Sequence, residues 1–329
     1  MGAVQAFSAD LVAVLVAVTA GEPRILTLQD GQALPSGPFE PGHRSLQSGL
    51  RAWVEQQTRH PLGYVEQLYT FADQDRAAGQ DGAAVQDRVR DGVERAISVS
   101  YLALTREGQA SGEHEEGWQG WYGYFPWEDH RAGPPRVIAD AIAPGLRGWA
   151  DSAGDQVASW QRAAVTFGLD GRPWNEELVL QRYELLHEAG LVSEARRTRP
   201  APGAPPSARP GALAGIAPVP GRPMRLDHRR ILATGIARLR AKIKYRPVVF
   251  ELMPPEFTLL HLQQGVEGIA GRRLHKQNFR RLVEQQELVE ETGAMAAGTG
   301  GRPAKLFRFR REVLAERAAS GTKLLLSRP

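Results

Sequence analysis

Apolar residues run unbroken from position 11 to 18, and the β-branched content of that run marks a buried strand. A second β-branched run at 24–28 follows the punctuation Ala20-Gly21-Glu22-Pro23, so the chain opens on a predicted hairpin. Leu46, Leu50, Trp53 and Val54 then recur at helical spacing within 44–59, with Ser45 placed to cap the start. Strand-like composition returns at 64–72 and 96–105. Strands, a helix and strands in that order predict an α/β sandwich.

Beyond position 106 a stretch rich in glycine, glutamate and tryptophan reaches Trp127, and helical patterns follow at 137–150 and 175–194. The second carries Leu178, Leu185, Leu186 and Leu191 with Gly190 near its end, which reads as a helical insertion packed on the first domain. Proline, alanine and glycine dominate 198–223, as in an extended linker, and place a domain boundary there. Asp227 is positioned to cap a helix through Ile231, Ile236, Leu239 and Ile243. The apolar face of that helix fits either the first domain or a second subunit. The expected division is an α/β domain at 1–130, a helical insertion at 131–198, a linker at 199–224, a connecting or dimerisation helix at 225–244 and a last module at 245–317.

That last module has the pattern of a winged helix-turn-helix. Leu259-Leu260-His261-Leu262 opens one helix, 266–269 suggests a second short one, and Gly271 stands at a turn. A third begins near His275, with Phe279, Leu282 and Val283 on one face. Arg272, Arg273, Lys276, Asn278, Arg280 and Arg281 crowd its N-terminal turn and outer surface, where side chains reach phosphates and base edges. Glu287-Leu288-Val289-Glu290, a glycine-containing excursion from 293 to 301, and Arg302-Pro303-Ala304-Lys305 with the alternating 306–309 predict a hairpin with a basic tip. Between 222 and 317 about 20 Lys plus Arg stand against about 10 Asp plus Glu, while the whole chain of 329 residues has a net charge of only +4. A basic module on a net acidic remainder is the electrostatic footprint of nucleic-acid binding, here to double-stranded DNA.

Composition narrows the rest. Without cysteine there are no disulfides, thiolate zinc sites or cysteine nucleophiles, which fits a cytoplasmic location. The apolar run at 11–18 is too short for a membrane span and lacks the basic leader of a signal peptide. The eight histidines show no paired ligand spacing, and neither a P-loop nor a dinucleotide fingerprint is present. Trp118, Trp121, Tyr122, Tyr124, Phe125 and Trp127 could stack on an adenine, but core packing is the ordinary reading of such a cluster. Trp127-Glu128-Asp129-His130 reads as a structural connection, because adjacent loop residues point in different directions and give acid–base chemistry no fixed geometry.

The loop from Leu34 to His43 and the helix after it resemble the Nudix box. That family's consensus runs glycine, five residues, glutamate, seven residues, Arg-Glu, a hydrophobic residue, any residue, Glu-Glu, any residue and glycine; its helix carboxylates bind the cations that activate water on a pyrophosphate. Gly37, Arg51 and Glu55 fit, whereas His43, Ala52, Gln56 and Thr58 replace the first glutamate, two further glutamates and the last glycine. One carboxylate is left of the set, so the expectation is a domain that binds a nucleotide diphosphate through Gly37, Phe39, Arg51 and Glu55 without hydrolysing it. No catalytic residue, metal or cofactor is then expected. Residues 245–252, 257–263, 278–281 and 300–307 are similar to the signature of Nudix-related transcriptional regulators of NAD metabolism, the NrtR-like proteins. The resemblance is close over 227–309 and loose over 11–106, and residues 107–222 are longer than the family pattern. It implies a homodimeric repressor of NAD biosynthesis or salvage genes whose effector is ADP-ribose or a related nucleotide. Arg302 and Lys305 would then be wing contacts to DNA. The rival is an active ADP-ribose pyrophosphatase using carboxylates outside the box, such as Glu66 or Glu115.

Overall fold

The computed structural model describes residues 6–58, 62–71, 93–106, 117–197, 218–296, 303–310 and 312. Strand β1 (Ala6–Thr19) is the spine of a sheet that also contains β2 (Glu22–Leu26), β3 (Ser36–Pro38), β4 (Tyr64–Phe71), β5 (Val93–Leu104) and β6 (Trp118–Gly120). The order is β4-β5-β1-β2-β6, with β3 paired to the first half of β1. β1 runs parallel to β5 and antiparallel to β2 and β3. The β1–β2 hairpin turns on Ala20 and Gly21, at φ 51° and 78°, the positive values that tight hairpin turns require.

Alternation along β1 splits the interior in two. Leu11, Ala13, Leu15 and Ala17 pack with Leu50 and Val54 of helix α1 (Leu46–Thr58), while Val12, Val14 and Val16 face the remainder of the chain. Residues 11–17 are at most 1% exposed, and burying each larger side chain among them contributes about 1.5–3 kcal/mol. Ser45 does cap α1, its Oγ accepting from the Ser48 amide at 3.1 Å.

After β6, short 3-10 turns at Trp121–Gly123 and Pro126–Glu128 bury the aromatic cluster, with Trp121, Tyr124, Phe125 and Trp127 all 0% exposed. A π turn at Ile138–Ile142 leads into α2 (Ala143–Asp151), followed by α3 (Gln156–Phe167), α4 (Val179–Glu188) and α5 (Ser193–Arg197). The helix expected over 175–194 is therefore shorter. It stops at Glu188 because Gly190, at φ 68°, turns the chain and lets Leu191 enter the core.

Most of the expected linker lies outside the described residues. Its end does not behave as linker: Val219 and Met224 are buried, and the Met224 amide donates to Glu194 Oε1 at 3.0 Å. Helix α6 (His228–Tyr245) follows, although the Asp227 side chain makes no capping hydrogen bond. Its Ile231, Ile236 and Leu239 join the cluster on the valine face of β1, so this face is covered from within the chain. The crossing is close, since a Cβ on Gly235 would lie 2.9 Å from Val14 Cγ1.

A 3-10 turn at Val248–Leu252 precedes α7 (Leu259–Ala270), α8 (Lys276–Gln285) and the hairpin β7 (Val289–Ala296) with β8 (Ala304–Phe309). The two helices expected over 259–269 are one, capped by Thr258 Oγ1 on the His261 amide and ended by Gly271 at φ 70°. Gly293 does not begin the loop. It is a kink within β7, at φ 79°, where the strand register shifts. Phe257 bridges Phe307 through reciprocal backbone hydrogen bonds of 2.9 and 2.8 Å, extending the wing by one residue pair. No helix among the described residues is long and apolar enough to cross a membrane.

The sheet, the insertion, α6 and α7 meet at Glu128. Its carboxylate is 1% exposed and accepts from Arg182 Nε at 2.6 Å and from Arg240 Nη1 at 2.6 Å. Burial pushes this carboxyl upward, but the charges of Arg182 and Arg240 outweigh it and hold it below the ordinary range. Glu128→Gln is expected to cost about 3–5 kcal/mol, because it leaves two buried guanidiniums without a countercharge. Urea unfolding measures this, and a loss under about 1 kcal/mol would mean that the network is not a keystone.

His228 gives the fold a pH dependence. Its Nδ1 accepts from the Leu34 amide at 2.9 Å, and burial, aided by the charge of Arg225, pushes the imidazole down from 6.5 to about 4. The unfolded chain takes up the proton first, so stability is complete above the unfolded value and falls by about 3 kcal/mol as pH drops through this window. In His228→Gln, which keeps an acceptor, unfolding curves at about pH 7 and about pH 4.5 should lie closer together than in the parent. Equal falls in both proteins would assign the effect to other groups.

Candidate functional site

The turn between α7 and α8 is fixed by a buried acid. Glu267, 4% exposed, accepts from the Leu274 amide, from Gln263 Nε2 and from Arg273 Nη1, each at 2.9 Å. Burial raises this carboxyl, and the three donors more than reverse the effect. α8 thereby leaves the turn in one direction. Val283 is buried and Phe279 partly so, but Leu282, expected on the same face, is 52% exposed. It sits one residue beyond the packed stripe.

The six polar residues expected to read DNA fall into two groups. Lys276, Asn278, Arg280 and Arg281 are exposed along α8, and the three cations meet no carboxylate among the described residues. Arg272 instead reaches Glu176 of the insertion at 3.4 Å, and Arg273 is held by Glu267. Both still expose more than half of their side chains, at 55% and 70%. The wing is less basic than its sequence suggests. Lys305 Nζ donates to both oxygens of Glu291 at 2.8 and 2.9 Å, and Arg308 Nε donates to Glu290 at 2.5 Å, as cross-strand pairs. Arg302 lies outside the described residues.

Three contacts set this module against the sheet and the turns that follow it. A Cβ on Gly268 would come 2.1 Å from the Gly21 carbonyl oxygen, so α7 rests directly on the β1–β2 turn. Beside it Tyr122 Oη donates to the Gly268 carbonyl at 2.6 Å, and the His130 amide donates to the Gly271 carbonyl at 2.7 Å.

The region around α1 is organised by side chains that bind its own loop. Gly37 has no room for a Cβ, which would sit 2.3 Å from the Trp53 indole, and Trp53 Nε1 donates to the Pro38 carbonyl at 2.8 Å. Gln57 clasps Ser36 through both amide groups, at 3.1 and 2.7 Å. Arg51, expected to meet ligand phosphate, directs its guanidinium to the Leu62 and Gly63 carbonyls instead. His43 Nδ1 accepts from the Glu40 amide at 3.0 Å and its ring lies 5.8 Å from that of Phe39. Phe39, Ala52, Glu55 and Gln56 are exposed. Glu66, a candidate in the hydrolase alternative, is engaged by Lys242, Tyr64 and Arg238. Glu115 lies outside the described residues. No group of three His, Asp or Glu side chains able to hold a metal gathers among the described residues.

Sequence reasoning did not find Glu267 or the partners of Glu128. A glutamate inside an apolar helix is a signal for the first, whereas pairing across 54 and 112 positions leaves no local trace.

A capped helix, a glycine turn, a second helix with an exposed basic face and a two-stranded hairpin define residues 249–309 as a winged helix domain. The family model that matches these residues is the NrtR DNA-binding winged helix domain, and the C-terminal module is a winged helix of that type. The "ADPR responsive transcriptional repressor NtrR" of Acinetobacter baylyi is 42% identical over 86 residues, which are 26% of this chain and 34% of the relative's length. The match thus spans about a third of that curated relative. Among solved structures, NrtR of Shewanella oneidensis complexed with a 27mer DNA is 18% identical over 93% of this chain and 95% of its own, at TM-score 0.49. A MutT/nudix family protein from Enterococcus faecalis is 13% identical over 94% and 89%, also at 0.49.

Proposed function

We propose that the protein is a cytoplasmic, homodimeric transcriptional repressor of NAD biosynthesis or salvage genes that releases its operator on binding ADP-ribose or a related nucleotide. The observation that carries this reading is the exposed basic face of α8, where Lys276, Arg280 and Arg281 meet no carboxylate among the described residues, on a winged helix of the NrtR type. The repressor of Acinetobacter baylyi, described as ADPR responsive, supports the effector. A Nudix-like first domain agrees with β1 running parallel to β5 and with α1 following the loop after β3. In this reading Phe39 and Glu55 contact the nucleotide, while Gly37 and Arg51 position α1. With His43, Ala52 and Gln56 in place of carboxylates, the domain binds without hydrolysis. Selection of genomic fragments by the purified chain, with and without ADP-ribose, tests the whole proposal.

Lys276→Glu and Arg280→Glu are each expected to weaken operator binding about tenfold or more while circular dichroism stays unchanged. Lys305→Ala should have a smaller effect, equal for every base substitution, because Glu291 already neutralises much of its charge. Mobility shifts read both. Unaltered affinity in both helix variants would mean that α8 is not the reader, and a loss confined to one base pair would contradict the backbone role of Lys305.

With magnesium or manganese present, the protein should bind ADP-ribose by calorimetry yet release little or no AMP by chromatography, with an active Nudix hydrolase as control. An isolated Glu55 cannot assemble the cation cluster that attack on a pyrophosphate needs. Robust metal-dependent turnover that disappears in Glu55→Gln would replace the sensor by the enzyme.

A further inference from the structure

Behind the reading helix lies a cavity of about 700 Å³, bounded by the end of α6, the 248–252 turn, α7 and α8. Its floor is apolar, with Val249, Phe250, Leu262 and Val266 facing Phe279 and Val283 of α8. Its volume is that of small-molecule sites, and such sites pair an apolar body with a few polar groups. Here those groups are cationic. Arg240 shares its one counterion, Glu128, with Arg182; Lys244 and Arg272 share Glu176 at 2.9 and 3.4 Å. Arg246, also on the wall, is exposed and meets no carboxylate among the described residues. Although Lys244 also reaches Glu177 at 2.6 Å, and Glu287 on the rim is taken by Arg310, positive charge remains in excess.

We propose that this cavity binds a small organic anion with an apolar body, its hydrophobic part between Phe250 and Phe279 and its acidic group toward Arg246 and Arg272. The site is separate from the effector region around α1, and its occupant packs on the inner face of the helix that carries Lys276 and Arg280.

The test uses the full chain and two fluorescent probes of similar shape, anionic 8-anilinonaphthalene-1-sulfonate and neutral N-phenyl-1-naphthylamine. The anion is expected to bind saturably at one site per chain and persist under excess ADP-ribose. It should also slow amide hydrogen exchange across 276–285. Arg246→Glu, at an exposed position that leaves the core untouched, should weaken it about tenfold, and Val266→Phe, which fills the floor, should abolish it. Equal binding of the neutral probe would remove the anionic specificity. Displacement by ADP-ribose, protection confined to segments that do not line the cavity, or indifference to both substitutions would overturn the site.

Discussion

The carboxylate of Glu128 holds together parts of the chain that come from three different segments. It sits at the end of a 3-10 turn beside the sheet, takes Arg182 from α4 and Arg240 from α6, and through Arg240 reaches the winged helix, because Arg240 Nε donates to the Ile269 carbonyl at 2.8 Å. That carbonyl belongs to the last turn of α7, where carbonyls lack helical partners and a cation is favoured. Arg240 also donates to the Glu176 and Glu128 carbonyls, at 3.1 and 3.2 Å, and the Arg182 guanidinium stacks 3.7 Å from the Trp174 ring. Buried ions of this kind add little net stability against an apolar substitute, but they accept only a narrow range of directions. Their contribution is orientation.

Orientation matters because the face proposed to meet DNA is defined by how α7 sits. The Gly21–Gly268 approach leaves no space for side chains, and Tyr122 and His130 hold the carbonyls of Gly268, in the last turn of α7, and of Gly271, its cap. With Glu267 pinning the next turn, α8 emerges at a fixed angle. It is lightly packed along its own length, with Val283 its one buried residue. A firmly placed α7 and a pinned turn set the direction of α8, to which packing along its own length adds little.

Local patterns made much of this legible. The hairpin at Gly21, the Ser45 cap, the strands themselves and the winged helix follow from apolar period and turn chemistry, which act within a few residues. Where the reading failed, the cause was tertiary. Ile231, Ile236 and Leu239 fitted a partner subunit as well as a neighbouring sheet, and only the contact of Gly235 with Val14 decides. Val219 and Met224 read as linker because their neighbours are proline and glycine, yet the core needed two apolar residues there. Charge counting found the basic module but could not see that Lys305, Arg308 and Arg273 are paired within it. At the first domain Gly37 and Arg51 were recognised by position, while their partners, Trp53 and the carbonyls of 62 and 63, show that position and contact with ligand are separate questions.

The proposed effector region and the proposed DNA face lie on opposite sides of β1. α1 and its loop pack on the leucine and alanine side, whereas α6 and the winged helix belong with Val12, Val14 and Val16. Such close packing does not transmit a local deformation through the sheet without moving the strand itself. β1 offers a route along its length. At one end it pairs with β3 through residues 10–12, next to the loop of Phe39, and at the other it turns through Gly21 onto Gly268 of α7. A ligand that favours one position of β3 can bias α7 through that strand, provided its affinity differs between the two placements. The closeness of the approach explains why glycine stands on both sides of the contact. A methyl group on Gly268 would meet the Gly21 carbonyl and push α7 away from the turn that ends β1.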